Sequence, residues 1–212
     1  MAKGDMEKAK QHFKKAVEKD PYMMSPHLVL TDIYFQEKNV DQVIAHYENA
    51  LSENPKFMPG YMILGSIYER QGEEEKAEAV YRKALEIESD FVPAANNLAF
   101  NLAERGVNVE EALQLAEQAK EKRPDDPFVL DTLGWVYFLL GHYGQATAHL
   151  EKSVSKMPDN PSFNYHLGKA YYKNNQHDKA RAYLSKVLEL DPKSKDAADV
   201  QRIFEGYRSL EG

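Results

Sequence analysis

The chain has 212 residues, of which 42% are hydrophobic and 29% are charged, with 11 glycines and 10 prolines. This balance is typical of an ordinary folded helical protein and excludes disordered and fibrous chains. The net charge is −7 and the basic residues are scattered rather than gathered into a stripe, so we expect no binding of nucleic acid. No cysteine is present, which excludes disulfides and thiolate chemistry and leaves cytoplasm and periplasm both open.

The first predicted element, residues 1–23, is a single helix. Its Ala9, Phe13, Ala16 and Pro21 stand at positions that recur in the second half of every later repeat. We therefore expect the orphan second helix of a truncated repeat, cut from a longer protein. Apolar surface that a missing partner helix would cover favours self-association through this element.

Five repeats of 34 or 35 residues follow, at 24–57, 58–91, 92–126, 127–160 and 161–194. Each begins with a helix marked by a leucine, a small residue next to it and, in four of the five, a tyrosine four residues after it. The leucines are Leu30, Leu64, Leu98, Leu133 and Leu167. The second helix carries alanines at matching positions, and a proline closes each unit except the one with Ser89. Residues 195–212 lose this signature but stay helical and charged, which indicates a solvating cap.

The most apolar stretch of the repeats runs from Phe128 to Leu140 and is interrupted by Asp131 and Thr132. A membrane span needs about 20 consecutive apolar residues. The stretch therefore predicts a buried helix and no membrane insertion. The start of the chain, Met1 to Asp5, leads directly into charged helical sequence without a signal-peptide pattern.

The repeat resembles the tetratricopeptide repeat (TPR). The matches within one unit are Gly134, Tyr137, Gly141, Tyr143, Ala146 and Pro158. The resemblance implies an all-α fold, an α-solenoid in which helix pairs form a right-handed superhelix, and a scaffold that binds other proteins. A heptad coiled coil is the structural alternative, but prolines at this spacing would break it.

Helix geometry gives the candidate binding residues. Positions two before, two after and five after each leucine point away from its buried face, and in TPR solenoids this second face lines the concave groove. From these positions and the neighbouring aromatics we predict a partner-binding groove of Phe35, Met62, Asn96, Phe100, Phe128, Asp131, Trp135, Phe138, Tyr165, Lys169 and Tyr172. We expect Trp135 to lie in the groove, exposed to solvent, rather than in the core. The alternative is that neighbouring helices or the C-terminal helix cover these aromatics.

Other polar clusters give no catalytic pattern. His142, His149 and His166 lack carboxylates at ligand spacing, so we interpret them as surface or packing residues. The acidic run Glu73 to Glu75 opens a helix, where negative charge is favourable. No nucleotide-binding loop or nucleophile elbow is present. We expect no catalytic residue, no cofactor, no metal and no enzyme activity.

The sequence thus predicts a protein that binds a partner peptide or helix along an aromatic groove. Two alternatives stay open: a chaperone-type adaptor that clamps a C-terminal carboxylate, and the repeat domain of a larger enzyme. The amino-acid sequence of the middle repeats is similar to that of bacterial TPR proteins of envelope and exopolysaccharide assembly. The stretches that carry this similarity are Asn96–Phe100, Asp131–Tyr137 and Tyr165–Gly168. A bacterial multiprotein assembly is therefore the expected setting.

Overall fold

A computed structural model describes the backbone of residues 3–211 and the side chains of residues 5–206. These residues form twelve helices, which confirms the all-α fold of helix pairs. The helices are α1 (Lys3–Lys19), α2 (Met24–Gln36), α3 (Val40–Glu53), α4 (Met58–Gln71), α5 (Glu74–Ile87), α6 (Val92–Glu104), α7 (Val109–Lys122), α8 (Pro127–Leu139), α9 (Tyr143–Lys156), α10 (Pro161–Lys173), α11 (His177–Leu190) and α12 (Lys195–Glu211).

The two helices of a unit approach each other where a small residue of the first faces a larger residue of the second. A Cβ atom at Gly134 would lie 2.6 Å from Cγ of Leu150, so only glycine fits without movement. Gly168 stands in the same relation to Leu184. The column of small residues therefore sets the close spacing of each pair, and the leucines beside it are buried.

The helix boundaries follow from local chemistry. The second helix of each repeat ends two residues before the position of the proline that closes the repeat. This holds for α5 as well, which ends at Ile87 although Ser89 replaces the proline. Asp126 and Asn160 cap α8 and α10 by accepting hydrogen bonds from backbone N–H groups of the first turn, and a proline follows each cap. The α6–α7 turn contains two left-handed residues, Gly106 and Asn108, where the other turns within units have one. The extra residue of that repeat is absorbed there.

The helices divide into two compact units, one of residues up to Ala94 and one from Ala95 onward, with the boundary inside α6. In the N-terminal unit, α1 is covered less than the other second helices. Ala9, Phe13 and Ala16 are half-buried. The residues at the same positions in α5, which are Ala77, Tyr81 and Ala84, are fully buried.

Tyrosine–glutamate hydrogen bonds join successive repeats within each unit. Each phenol donates from the first helix of one repeat to a glutamate on the second helix of the preceding repeat. The pairs are Tyr68 with Glu48 (2.9 Å), Tyr137 with Glu117 (2.9 Å) and Tyr171 with Glu151. Burial, followed by the bond to glutamate, raises the pKa of all three phenols, that of Tyr68 to about 12. The phenols therefore remain protonated donors across the physiological range.

Candidate functional site: an aromatic cleft in the C-terminal unit

A cleft of about 500 Å³ lies in the C-terminal unit among α6, α8, α10 and α12. We call it the aromatic cleft. It is lined by Phe100 and Glu104 of α6, Trp135 of α8, Ser162, Tyr165, His166 and Lys169 of α10, and Lys195, Asp196, Asp199 and Arg202 of α12. Four of these, Phe100, Trp135, Tyr165 and Lys169, are among the residues predicted from the sequence. The first helices of three successive repeats therefore do bring predicted groove residues together.

Trp135 lies in the wall of the aromatic cleft, and its predicted exposure to solvent is wrong. Only 6% of the residue is exposed. The indole stacks on Phe138 with ring centroids 4.6 Å apart and on His166 with ring centroids 4.2 Å apart. The indole N–H donates to a carboxylate oxygen of Glu104. The side chain does point away from Leu133, but His166 of the next repeat covers it, so Trp135 supports the cleft rather than offering a free ring.

Asp131 is also buried, with 5% of the residue exposed, so the prediction that it faces a partner is corrected as well. Its Oδ2 lies 2.8 Å from Nδ1 of His166. Burial acts to lower the pKa of His166, but the charge of Asp131 and the hydrogen bond to it outweigh burial and raise that pKa above its ordinary value. Glu104 and Asp196 add to this effect. A buried His166–Asp131 pair therefore joins α8 and α10 where His166 lines the cleft.

Tyr165 and Lys169, one turn apart on α10, both hold a carboxylate of α12. The Tyr165 hydroxyl donates to Oδ2 of Asp199 at 2.8 Å, and the Lys169 ammonium donates to the same oxygen at 2.7 Å. Arg202, on α12 itself, lies 3.2 Å from the other oxygen. Burial acts to raise the pKa of Asp199, but the bonds from Lys169 and Tyr165 outweigh it and leave the pKa lowered. Asp199 is therefore held as the anion.

A second α12 carboxylate, that of Asp196, also lines the aromatic cleft. Burial raises its pKa, and the positive charges of His166 and Lys195 act against this shift. Because Glu104 and Asp199 lie near it and raise its pKa further, this side of the cleft concentrates negative charge. The α12 helix thus contributes both an anion bound by α10 and a second, half-buried acid.

The other predicted groove residues do not line this cleft. Phe35 and Met62 belong to the N-terminal unit, where Phe35 is exposed beside Val40 and Ile67 in a separate hollow. In the C-terminal unit, Phe128 is 53% exposed and packs edge-on against Phe163. The remaining three are half-buried: Asn96, Phe138 against Trp135, and Tyr172 against His177.

Sequence reasoning missed the polar half of the cleft. Glu104 lies six residues after Leu98 and His166 one before Leu167, outside the positions used to place the groove. Asp196, Asp199 and Arg202 lie in the segment interpreted as a solvating cap. Their spacing of three residues puts them on one helix face, and this was the available signal that α12 presents a charged stripe.

The fold and its paired helices define a helical-repeat scaffold for protein interaction, and family comparison identifies the repeat. Two sequence models, both described as tetratricopeptide repeat, match residues 137–203 and residues 1–22 with 59–91, together more than half of the chain. The chain therefore belongs to the tetratricopeptide-repeat family. Proteins of this family are in general non-catalytic.

Individual relatives are more distant. A TPR repeat-containing protein of Pseudomonas aeruginosa is 34% identical over 61 residues, which is 29% of this chain and 10% of that protein. The chain thus matches a small part of that relative.

Solved structures share the fold at low sequence identity. The Cut9–Hcn1 assembly of the APC/C gives a TM-score of 0.76 at 17% identity, covering 97% of this chain and 40% of that one. A TPR protein from Parabacteroides merdae gives 0.73 at 18%, covering 98% and 82%. YrrB, described as a TPR protein with an unusual peptide-binding site, gives 0.59 at 19%, covering 90% and 97%. Among the described helices of this chain, none has the length and apolar character of a membrane span.

Proposed function

We propose that this protein is a non-catalytic scaffold that binds a peptide or helix of a partner protein in the aromatic cleft, within a bacterial multiprotein assembly. The observation that carries the proposal is that Phe100, Tyr165 and Lys169 line one cleft together with Trp135, whose ring is fixed by stacking on Phe138 and His166. Aromatic anchors dominate the energetics of protein interfaces, and a wall that is already ordered lowers the cost of binding.

Two further features support a peptide ligand. The cleft is lined by both apolar rings and charged groups, the combination by which grooves between helices recognise helical or extended segments. One structural relative, YrrB, is described as having a peptide-binding site. The bacterial setting is supported by the relatives from Pseudomonas aeruginosa and Parabacteroides merdae.

The proposal is tested with peptides selected from a random phage-displayed library on the full chain and measured by fluorescence anisotropy. Phe100→Ala removes a ring from the cleft wall. Loss of a central aromatic anchor typically costs about 2 kcal/mol or more, which is roughly 30-fold in Kd. The matched control is Tyr22→Ala, which removes an aromatic ring that is 55% exposed in the N-terminal unit.

We expect the Phe100→Ala variant to lose peptide affinity and the Tyr22→Ala variant to keep it. Thermal melting of both variants identifies any loss of affinity that is due to unfolding. Selected peptides that bind the Phe100→Ala and Tyr165→Ala variants as tightly as the unchanged protein would rule out the aromatic cleft as the binding site.

A further inference from the structure

The contact between α10 and α12 differs from the tyrosine–glutamate bonds at the repeat junctions, because two donors of one helix, a phenol and an ammonium, share one carboxylate oxygen. The neighbouring helix pairs are joined by buried leucines, alanines and tyrosines. By contrast, the carboxylate of Asp199 on α12 accepts hydrogen bonds from Tyr165 and Lys169, which were both predicted as groove residues. The groove positions on α10 are therefore occupied by a side chain of the same molecule.

The apolar attachment of α12 is small. Between residues 195 and 206 the fully buried side chains are Ala197 and Val200, and Val200 packs with Leu184 and Val187 of α11. Ile203 and Phe204 pack against this cluster but are only partly buried. In α10, seven of thirteen residues are buried. Since helix stability in proteins comes mainly from the apolar face that is buried, residues 195–206 of α12 are held less firmly than α10.

Removal of α12 would leave a ready anion site. Arg202 lies on α12 and would leave with Asp199, so the Lys169 ammonium and the Tyr165 hydroxyl would face the cleft without their shared acceptor. With α12 in place, burial and the bond to Asp199 raise the pKa of Tyr165. A tyrosine phenol has an ordinary pKa of about 10, so it stays a donor at neutral pH without α12 as well. A charged donor and a neutral donor that converge on one oxygen select a carboxylate.

We propose that Asp199 of α12 occupies in cis the site that an acidic side chain on a partner helix occupies in trans, so that α12 and the partner compete for Tyr165 and Lys169. This inference rests on the proposed function of the aromatic cleft and adds the chemistry of the partner. The partner segment is an amphipathic helix with an Asp or Glu beside small apolar residues, as α12 itself presents. Asp196 lies on α12 and would leave together with Asp199, so the incoming carboxylate replaces the carboxylates of α12 and meets only Glu104 among the acidic residues that line the cleft from the other helices.

The direct test uses two labelled synthetic peptides, one with the sequence of residues 195–206 and one with the same sequence carrying Asp199→Asn. Their binding to the 212-residue chain and its variants is followed by fluorescence anisotropy. In the Asp199→Asn chain the cis carboxylate is lost, so the unchanged peptide should bind about tenfold more tightly than it does to the wild-type chain. The peptide that carries Asn should bind the Asp199→Asn chain no more tightly than the wild-type chain. Glu205→Gln, an equal charge change at an exposed position of α12, is the matched control and should leave affinity as it was.

Lys169→Met keeps the aliphatic stem and removes the ammonium, so it should abolish binding of the unchanged peptide in both chain backgrounds. Circular dichroism and thermal melting show whether each variant is folded, and Arg202→Gln, which loosens one contact only, gives a milder second variant. Equal affinity of the wild-type and Asp199→Asn chains for the unchanged peptide, or no binding to either, would overturn the proposal.

The library-selected peptides separate this inference from the proposed function. Selected peptides that lose affinity in the Phe100→Ala chain but gain none in the Asp199→Asn chain leave the aromatic cleft as a binding site and overturn the competition by α12. Selected peptides that depend on a free C-terminal carboxylate rather than an internal Asp or Glu overturn the choice of an acidic side chain. Peptides indifferent to both changes overturn the cleft itself.

Discussion

His27 in the N-terminal unit and His166 in the C-terminal unit are both buried, yet their surroundings shift the pKa of the two imidazoles in opposite directions. Nε2 of His27 lies 3.0 Å from the carbonyl oxygen of Pro21, and its Nδ1 lies 2.9 Å from Nε2 of His46. A carbonyl can only accept, so we assign the proton of His27 to Nε2, and His46 then donates to Nδ1. Burial, followed by repulsion from His27 and Lys14, lowers the pKa of His46 to about 4.

The His166 ring has a carboxylate partner instead of a second imidazole. Burial also acts to lower the pKa of His166, but Asp131 reverses the direction. The comparison shows that the partner, rather than the extent of burial, decides the direction in which the pKa of a buried imidazole is shifted. Removal of one partner from a neutral histidine pair costs one hydrogen bond. Removal of one partner from a buried ion pair also leaves the other partner as an uncompensated charge, so the loss of stability is larger.

The largest expected effect follows from removal of Asp131. Asp131→Leu has a similar volume but leaves His166 without a counter-charge, and loss of one partner of a buried ion pair costs about 3–5 kcal/mol. We expect the free energy of unfolding of the C-terminal unit to fall by about 3 kcal/mol, measured in urea by the fluorescence of Trp135, which stacks on His166.

Asp125→Asn is the control for Asp131→Leu, because that side chain is 86% exposed and its surface ion pair with Lys156 contributes little. Equal stability of the two variants would mean that His166 and Asp131 do not form a buried ion pair.

A smaller effect is expected from His46→Phe. Phenylalanine keeps the ring, but Nδ1 of His27 loses its hydrogen-bond donor. The phenyl ring and the His27 imidazole are both uncharged, so the cost is that of an unsatisfied buried polar atom, about 1–3 kcal/mol. We expect a loss near the lower end of that range, about 1 kcal/mol, seen as a lower midpoint in thermal melts followed by circular dichroism. His12→Phe, at an exposed position of α1, should leave the midpoint in place. A loss as large as that of Asp131→Leu would contradict the neutral assignment.

The smallest expected effect is the pH dependence of the free energy of unfolding, which tests the comparison between the two histidines most directly. The pKa of folded His46 lies below the ordinary 6.5, so its stabilising contribution is present above pH 6.5 and is lost as pH falls from 6.5 towards 4. The pKa of folded His166 lies above 6.5, so its contribution is present below pH 6.5 and is lost as pH rises through the folded pKa.

NMR titration of the imidazole protons measures both values. We expect His46 to protonate near pH 4 and His166 to stay protonated above pH 6.5. Titration of both residues close to pH 6.5 would show that neither environment perturbs its ring and would remove the contrast between the units.

The sequence was sufficient for the repeat and for part of the aromatic cleft. Position pairs such as Gly134 and Leu150 contact each other within one repeat. Because such pairs recur at a regular spacing in the sequence, the repeat could be recognised from the sequence alone. The exposure of Trp135 was wrong for a physical reason: helix periodicity gives the direction of a side chain on its own helix, but not what the next helix places over it. His166 provides that cover. The contact of Asp199 with Tyr165 was not predictable either, because α12 does not repeat and its register on α10 depends on tertiary packing.

The tyrosine–glutamate bonds between successive repeats have a consequence for chemical labelling. Reagents such as tetranitromethane attack the ionised phenolate, and the raised pKa values keep Tyr68, Tyr137 and Tyr171 un-ionised. In mildly alkaline solution nitration should begin at the exposed ring of Tyr22 and spare the three junctions. Nitrotyrosine at one of these positions would then mark the repeat junction that has opened.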